Sequence, residues 1–271
     1  MIRPIDKFFA DRGTHLAAMI AYFALLSLVP LVFLALALLG FFGRADESTF
    51  LVQELKTILP SASIDQIVDV VNRIRANAAT LGIIGGIFLL WTSLSLFSVL
   101  ESAFNIVYGR PNRSFLAGKA LAILLMVSSL VVLLVALFAG SVGFDLLQRF
   151  APGFIANTVV AYVLSLVMST AGIFTFLVST YYLLTNVKIS FREVLPGSVL
   201  ATVLLQATFQ ALPIFFRLSS DNILALRALG APVLLLIWLY VMANVIVFGA
   251  EINWWLAHTR KEPPEEIRGL A

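Results

Sequence analysis

Six stretches of this chain contain no aspartate, glutamate, lysine or arginine: Gly13–Gly43, Ala76–Leu100, Ala120–Phe144, Phe150–Val187, Val194–Phe216 and Ala228–Ala250. Each exceeds the ~20 residues that cross a hydrocarbon core about 30 Å thick. In that core no water reaches the backbone N–H and C=O groups, so a crossing chain must satisfy them within itself, and an α-helix does so. The pattern therefore predicts six transmembrane helices. The fourth stretch has room for two crossings, but Ala151-Pro152-Gly153 and Asn157 break its first part. One span remains, from Thr158 to Leu184.

Composition supports this reading. Apolar residues make up 61% of the chain and charged residues only 12%, about half the ~25% of a soluble domain. A water-facing surface cannot be built from so few charges. With no cysteine in the chain, disulfides, thiolate metal sites and cysteine nucleophiles are excluded. The net charge of +3 reads as the surplus of Lys and Arg that anchors cytoplasmic loops, not as a nucleic-acid footprint. The first apolar stretch is too long for the core of a signal peptide and has no small-residue cleavage pattern before Gly43, so a retained helix is expected.

Six crossings put both termini on one side of the membrane. The N-terminus, Gly109–Lys119, Thr185–Glu193 and the C-terminal tail together hold eleven of the eighteen Lys and Arg residues. The positive-inside rule makes that side cytoplasmic. Ahead of the first crossing, Ile2, Ile5, Phe8, Phe9 and Arg12 share a helical face, the pattern of a short helix lying in the membrane interface. The longest connection, Phe42 to Thr80, carries two apolar stripes at helical spacing on either side of Pro60, with Ser63 and Gln66 placed as a capping box. Two amphipathic helices are expected there on the outer surface. The fold expected is thus all-α: a six-helix transmembrane domain over residues 1–260, then a polar cytoplasmic tail at 261–271.

Reactive groups are scarce. His15 and His258 fall at the membrane edge with no acidic partner at metal spacing. There is no phosphate-binding glycine loop, nucleophile elbow or paired-carboxylate motif, so no enzyme, cofactor or metal is expected. The informative residues are polar ones at membrane depth, where they are costly. Ser95, Ser98, Ser102 and Asn105 share one face of the second crossing, with Glu101 beside it. Ser198, Thr202, Gln206 and Gln210 recur every fourth residue on the fifth. Tyr240, Asn244 and Glu251 align on the sixth, with Trp254 and Trp255 just beyond. The fourth has a weaker stripe of Ser165, Ser169, Gly172 and Ser179. Two readings compete. Small and hydroxyl residues let helices pack closely and bond to their own backbone, whereas the carboxamides gain little from packing and must find partners. The stripes therefore either line a hydrated path or form a structural network. Glu101 and Glu251 share a cytoplasmic layer with Arg110, Arg113, Lys119, Lys188 and Arg192. That layer either gates or binds an anionic head group, or anchors the bundle.

Three segments carry a family resemblance. Ala21-Tyr22-Phe23-Ala24-Leu25-Leu26-Ser27-Leu28-Val29-Pro30 resembles the first-helix signature of the YihY/BrkB inner-membrane proteins, formerly labelled ribonuclease BN. Glu101-Ser102-Ala103-Phe104-Asn105-Ile106-Val107-Tyr108, followed by Arg113 and Lys119, is similar to a second signature, and Gly249-Ala250-Glu251-Ile252-Asn253 to the last-helix ending. Pro196-Gly197 and Leu236–Tyr240 also fit. The resemblance implies a bacterial inner-membrane protein of six helices. The family is linked to serum resistance and, through some members, to export of lipids or lipopolysaccharide precursors. Its older label came from a tRNA-processing activity, for which phosphodiester chemistry would need clustered His and carboxylates that this chain lacks.

The function expected is a transporter or flippase-like protein for an amphiphilic or anionic, lipid-related substrate, with the second, fifth and sixth crossings lining the path. Pro30, Pro196 and Pro213 offer points where helices bend. The alternative is a non-transporting scaffold that binds partner proteins. An ion or proton antiporter needs a titratable group near mid-membrane, and Glu101, Asp145, Glu193 and Glu251 all fall towards helix ends. Membrane lipids are expected partners and nucleic acid is not. Oligomeric state is left open.

Overall fold

The computed structural model describes residues 3–41, 78–128, 158–222 and 231–259, and among them the regular structure is helical throughout. In chain order the helices are α1 (Pro4–Ala10), α2 (Gly13–Phe41), α3 (Ala78–Val107), α4 (Phe115–Ser128), α5 (Thr158–Leu184), α6 (Phe191–Asn222) and α7 (Ala231–Thr259). Helices α2 to α7 overlap the six uncharged stretches in order, and several run past them into charged residues. Within them, Tyr162–Leu184, Phe191–Leu212 and Val233–Thr259 are long and apolar enough to cross a membrane. The amphipathic helices expected before Ala78 and the tail at 261–271 lie outside the described residues.

The helix ends follow from local chemistry. Pro4 opens α1 in the first turn, where a missing N–H costs nothing. The end of α3 is closed by Gly109 at φ 62°. There Arg110 N–H donates to the Asn105 carbonyl at 2.8 Å and Gly109 N–H to that of Ile106 at 2.9 Å, the paired closure that a left-handed glycine permits. At the start of α6, Glu193 Oε2 accepts from the Ser190 backbone N–H at 2.9 Å. This is one half of a Ser-x-x-Glu capping box. Helix α6 continues as a helix past both Pro196 and Pro213.

Backbone contacts divide the chain into two units. The first takes in Met1–Thr14, Leu100–Ala207 and Val245–Ala271; the second takes in His15–Val99 and Thr208–Asn244. In the first, the core is built from Leu100, Phe104 and Val107 of α3, Leu177, Tyr181 and Leu184 of α5, Val194, Ala201 and Leu205 of α6, and Val247 and Ala250 of α7. Phe104 meets Tyr181 edge to face, with ring centroids 5.1 Å apart. In the second unit, Leu16, Ala17, Ile20 and Ala21 of α2, Phe97 of α3, and Leu234, Trp238 and Ala243 of α7 are buried.

Helix α1 departs from the expected interfacial face. Ile5 and Phe9 are exposed as a lipid-facing pair should be, but Phe8 and Lys7 are buried. Phe8 lies 5.9 Å from the Phe248 ring of α7 and fills the space beside Gly13, where a side chain would strike it. Phe8 and Phe9 are neighbours in sequence but split between the two sides of α1, one docked on α7 and the other facing out.

Candidate functional site

The charged layer gathers in the first unit, where α3 and α7 end and α6 begins. Its centre is Arg113, four residues past the turn that ends α3. The guanidinium donates to the carbonyls of Leu183 at 3.0 Å, Leu184 at 2.6 Å and Thr185 at 3.0 Å. These belong to the end of α5, where carbonyls lack intrahelical partners and a cation is favoured. Nη1 also donates to Glu101 Oε1 at 3.2 Å, and the Arg113 backbone N–H reaches the same oxygen at 3.4 Å. Glu101 is buried, and the Arg113 fork is its counter-ion. The pair clamps α3 to the end of α5.

Asn105 tightens the same junction. Fully buried, it accepts from Asn186 N–H at 2.7 Å through Oδ1 and donates to Asn112 Oδ1 at 3.1 Å. Asn112 donates onward to Ser102 Oγ at 3.0 Å, and Asn186 to the Pro111 carbonyl at 3.1 Å. The carboxamide thus bonds within the protein on both its ends. Tyr108, at the same turn, is buried with its hydroxyl lacking a hydrogen-bond partner. Burial pushes its phenol well above the usual range, and the Glu193 and Glu251 carboxylates add to the shift.

Glu251 on α7 has a different partner, which sequence reasoning missed. The Lys7 ammonium comes within 3.0 Å of Glu251 Oε2. It also donates to the Val107 carbonyl at 2.7 Å and pairs with Asp11, and lies 4.3 Å from the centre of the Trp254 ring. Neither Glu251 oxygen accepts a well-directed hydrogen bond, so the contact is an ion pair by proximity. Glu251 is wholly buried. A buried carboxylate demands a cation, and that demand was the available signal. Which of eighteen basic residues met it was not legible.

Three further motif residues interlock α6 and α7. The Gly197 backbone N–H donates to Asn253 Oδ1 at 2.6 Å. A Cβ on Gly197 would collide with the Gly249 carbonyl and with Asn253, and one on Gly249 would collide with the Tyr181 hydroxyl. That hydroxyl donates to the Ile246 carbonyl at 2.7 Å. Glycine on both helices permits this close approach.

The hydroxyl stripes turn inward on their own helices. Ser95 donates to the Trp91 carbonyl, Ser98 to Leu94, Ser198 to Val194 and Thr202 to Ser198, all at 2.7 Å. Asn244 Nδ2 donates to the Tyr240 carbonyl at 2.7 Å. Gln206 Nε2 makes a long bond of 3.4 Å to Ser169 Oγ on α5, and its Oε1 is buried without a partner. Gln210 is exposed and Tyr240 half-buried. Of the basic layer, Arg110, Lys188 and Arg192 are exposed, while Lys119 lies 5.9 Å from the Phe115 ring.

Between α5 and α6, still in the first unit, is an open groove of about 490 Å³. Leu166, Val167, Ala171 and Phe174 line one side and Val199 and Val203 the other. Two threonines contribute, Thr170 and Thr202, but their hydroxyls are bonded to the Leu166 and Ser198 carbonyls. The groove therefore offers hydrocarbon and almost no hydrogen-bonding capacity.

The sequence profile of the virulence factor BrkB family matches residues 5–269. The chain belongs to the BrkB family. It is an integral membrane protein of that group. Among BrkB relatives it is similar to the putative ribonuclease-like protein YfkH of Bacillus subtilis, 26% identical over 96% of each chain. It is also similar to a UPF0761 membrane protein of Cronobacter sakazakii, 27% identical over 93% of this chain and 86% of the relative. A UPF0761 membrane protein of Rhodospirillum centenum is longer: at 26% identity the match covers 94% of this chain but 57% of that protein. No solved structure matches. The BrkB signatures picked out in the sequence include the clamps just described: Glu101 and Asn105 of the second, Gly197, and Gly249, Glu251 and Asn253 of the last.

Proposed function

We propose that this BrkB protein is a multi-pass protein of the bacterial inner membrane, with six crossings and both termini cytoplasmic, that moves an amphiphilic, anionic, lipid-related substrate. The observation that carries the reading is the groove between α5 and α6. Its volume is within the roughly 300–1,000 Å³ of small-molecule sites, and its apolar lining suits an acyl chain. Both flanks are bordered by exposed apolar residues, among them Val163, Met168 and Val203, as a lipid-facing surface requires. Arg192 stands ten residues before Thr202 on α6, or about 15 Å at 1.5 Å per residue. That is half of a hydrocarbon core about 30 Å thick. An anionic head near the exposed Lys188 and Arg192 would thus leave its tail at groove depth.

The test is lipid movement in vesicles containing the purified protein. A fluorescent anionic phospholipid is expected to cross faster than in empty vesicles, and Ala171→Phe or Val203→Trp is expected to slow it by narrowing the groove. Equal rates in protein-containing and empty vesicles would remove transport from the account.

A non-transporting scaffold is the second reading, and one observation favours it. The Ser and Thr stripes bond to their own backbone, as packing residues do. The vesicle assay separates the two, since a scaffold leaves lipid movement at the empty-vesicle rate. Cysteines placed at Gln206 and Asn244 test the stripes themselves: a hydrated path along them makes both reactive to a water-soluble thiol reagent, whereas packing leaves both silent. We further propose that the chain is not a nuclease and needs no cofactor or nucleic acid. The ribonuclease-like name belongs to the Bacillus subtilis relative. RNA cleavage by pure protein, abolished by one substitution in this chain, would reverse that.

A further inference from the structure

Among the described residues Lys7 is the only buried lysine. Its ammonium bonds to the Asp11 carboxylate and the Val107 carbonyl and lies 3.0 Å from Glu251 Oε2 as an ion pair. The helix that carries it, α1, has only seven residues, too few to hold a helical turn structure without tertiary support. What holds it is Lys7 and the neighbouring Phe8. The opposite side of α1 presents Ile5 and Phe9, 59% and 64% exposed, and exposed Arg3 stands at its start. The chain passes from α1 to α2 through Arg12, whose φ of 56° is a left-handed conformation that strains a residue with a side chain. A short helix, held by the contacts of two side chains and joined through a strained hinge, is built to have a second position.

We propose that α1 is a latch that an anionic lipid surface opens. Lys7 exchanges the Glu251 carboxylate for a phospholipid phosphate, and α1 turns about Arg12 to lie in the leaflet. Phosphate offers the ammonium the same charge-assisted contact that Glu251 does, and the negative surface of an anionic leaflet draws basic residues towards it. Once released, Ile5, Phe8 and Phe9 enter the acyl boundary while Arg3, Lys7 and Arg12 stay at the head groups, the division typical of an interfacial helix. Opening removes the Lys7 cation from Glu251 and uncovers the ends of α3 and α7. The latch is independent of whether the α5–α6 groove carries a substrate.

The test uses the full chain, which has no native cysteine. Spin labels at Ala10→Cys and Arg110→Cys, both exposed positions, report the distance between α1 and the turn after α3. In phosphatidylcholine vesicles a single short distance is expected. Vesicles rich in phosphatidylglycerol should add a longer population, reduced by salt because salt screens the lipid charge. The doubly neutral Lys7→Gln, Glu251→Gln chain should show the longer distance in both lipids. Identical distributions for the native pair in the two lipids would overturn the proposal, as would a doubly neutral chain that remains closed. Should that double variant fail to assemble, the native pair compared in the two lipids decides the matter alone.

Discussion

The charged end of the first unit and the groove between α5 and α6 solve opposite problems with neighbouring stretches of chain. At the charged end, Glu101 and Asn105 are buried and bonded by Arg113, Asn112 and Asn186, and Glu251 is paired with Lys7. Those groups are already committed to protein partners. In the groove even the threonine hydroxyls are occupied by backbone carbonyls, leaving an apolar surface with room beside it. Polarity alone is thus a poor guide to where a membrane protein binds. The polar residues that draw the eye hold helices together, and the surface with room for a lipid-like molecule is the plain one.

The charged end is most vulnerable at Glu251. Lys7→Met leaves a buried carboxylate without its cation, which should cost about 3–5 kcal/mol. It should be seen as early thermal unfolding in detergent. Adding Glu251→Gln should recover most of the loss. A Lys7→Met chain as stable as the original would mean that the charged end does not depend on this pair.

Arg113→Lys comes next. Lysine keeps the charge but cannot reach three carbonyls and a carboxylate at once with a planar fork. Losing charge-assisted bonds to the end of α5 should cost roughly 1.5–3 kcal/mol. Gly197→Ala should have a similar effect, about 1–3 kcal/mol, because overpacking forces α6 from α7. If both changes leave the melting temperature unmoved, the clamps are ornament and the contrast with the groove disappears.

The smallest effects should come from the stripes. Gln206→Leu should shift stability by only ~0.6 kcal/mol, the scale of an average membrane interhelical hydrogen bond, and Thr202→Val, whose hydroxyl bonds within its own helix, by no more than that. Neither should slow lipid movement by more than a small factor. A large loss of transport in Gln206→Leu with stability intact would return the polar stripes to the path.

Helices at the six uncharged stretches were legible because absence of charge over twenty residues has few other physical causes. The carboxylates at helix ends were legible as costly groups needing partners. Their partners were not. Lys7 and Glu251 lie at opposite ends of the chain, and Lys7 with Asp11 four residues later reads in sequence as a solvated helical pair. The groove was invisible because its residues, Leu, Val, Ala and Phe, are the ones any lipid-facing helix uses. Only the spacing of α5 and α6 distinguishes them.

On the proposed function this groove, not the charged end, receives the acyl part of a substrate. A phospholipid carrying a photoactivatable group on its acyl chain, mixed into vesicles with the protein, tests it by mapping where the label attaches. Attachment should concentrate on residues 166–174 of α5 and 199–203 of α6, and fall sharply in Val203→Trp. Label spread evenly over the exposed apolar surface, on Tyr162, Val163, Ile237 and Val241 as much as on the groove, and unchanged in Val203→Trp, would contradict it.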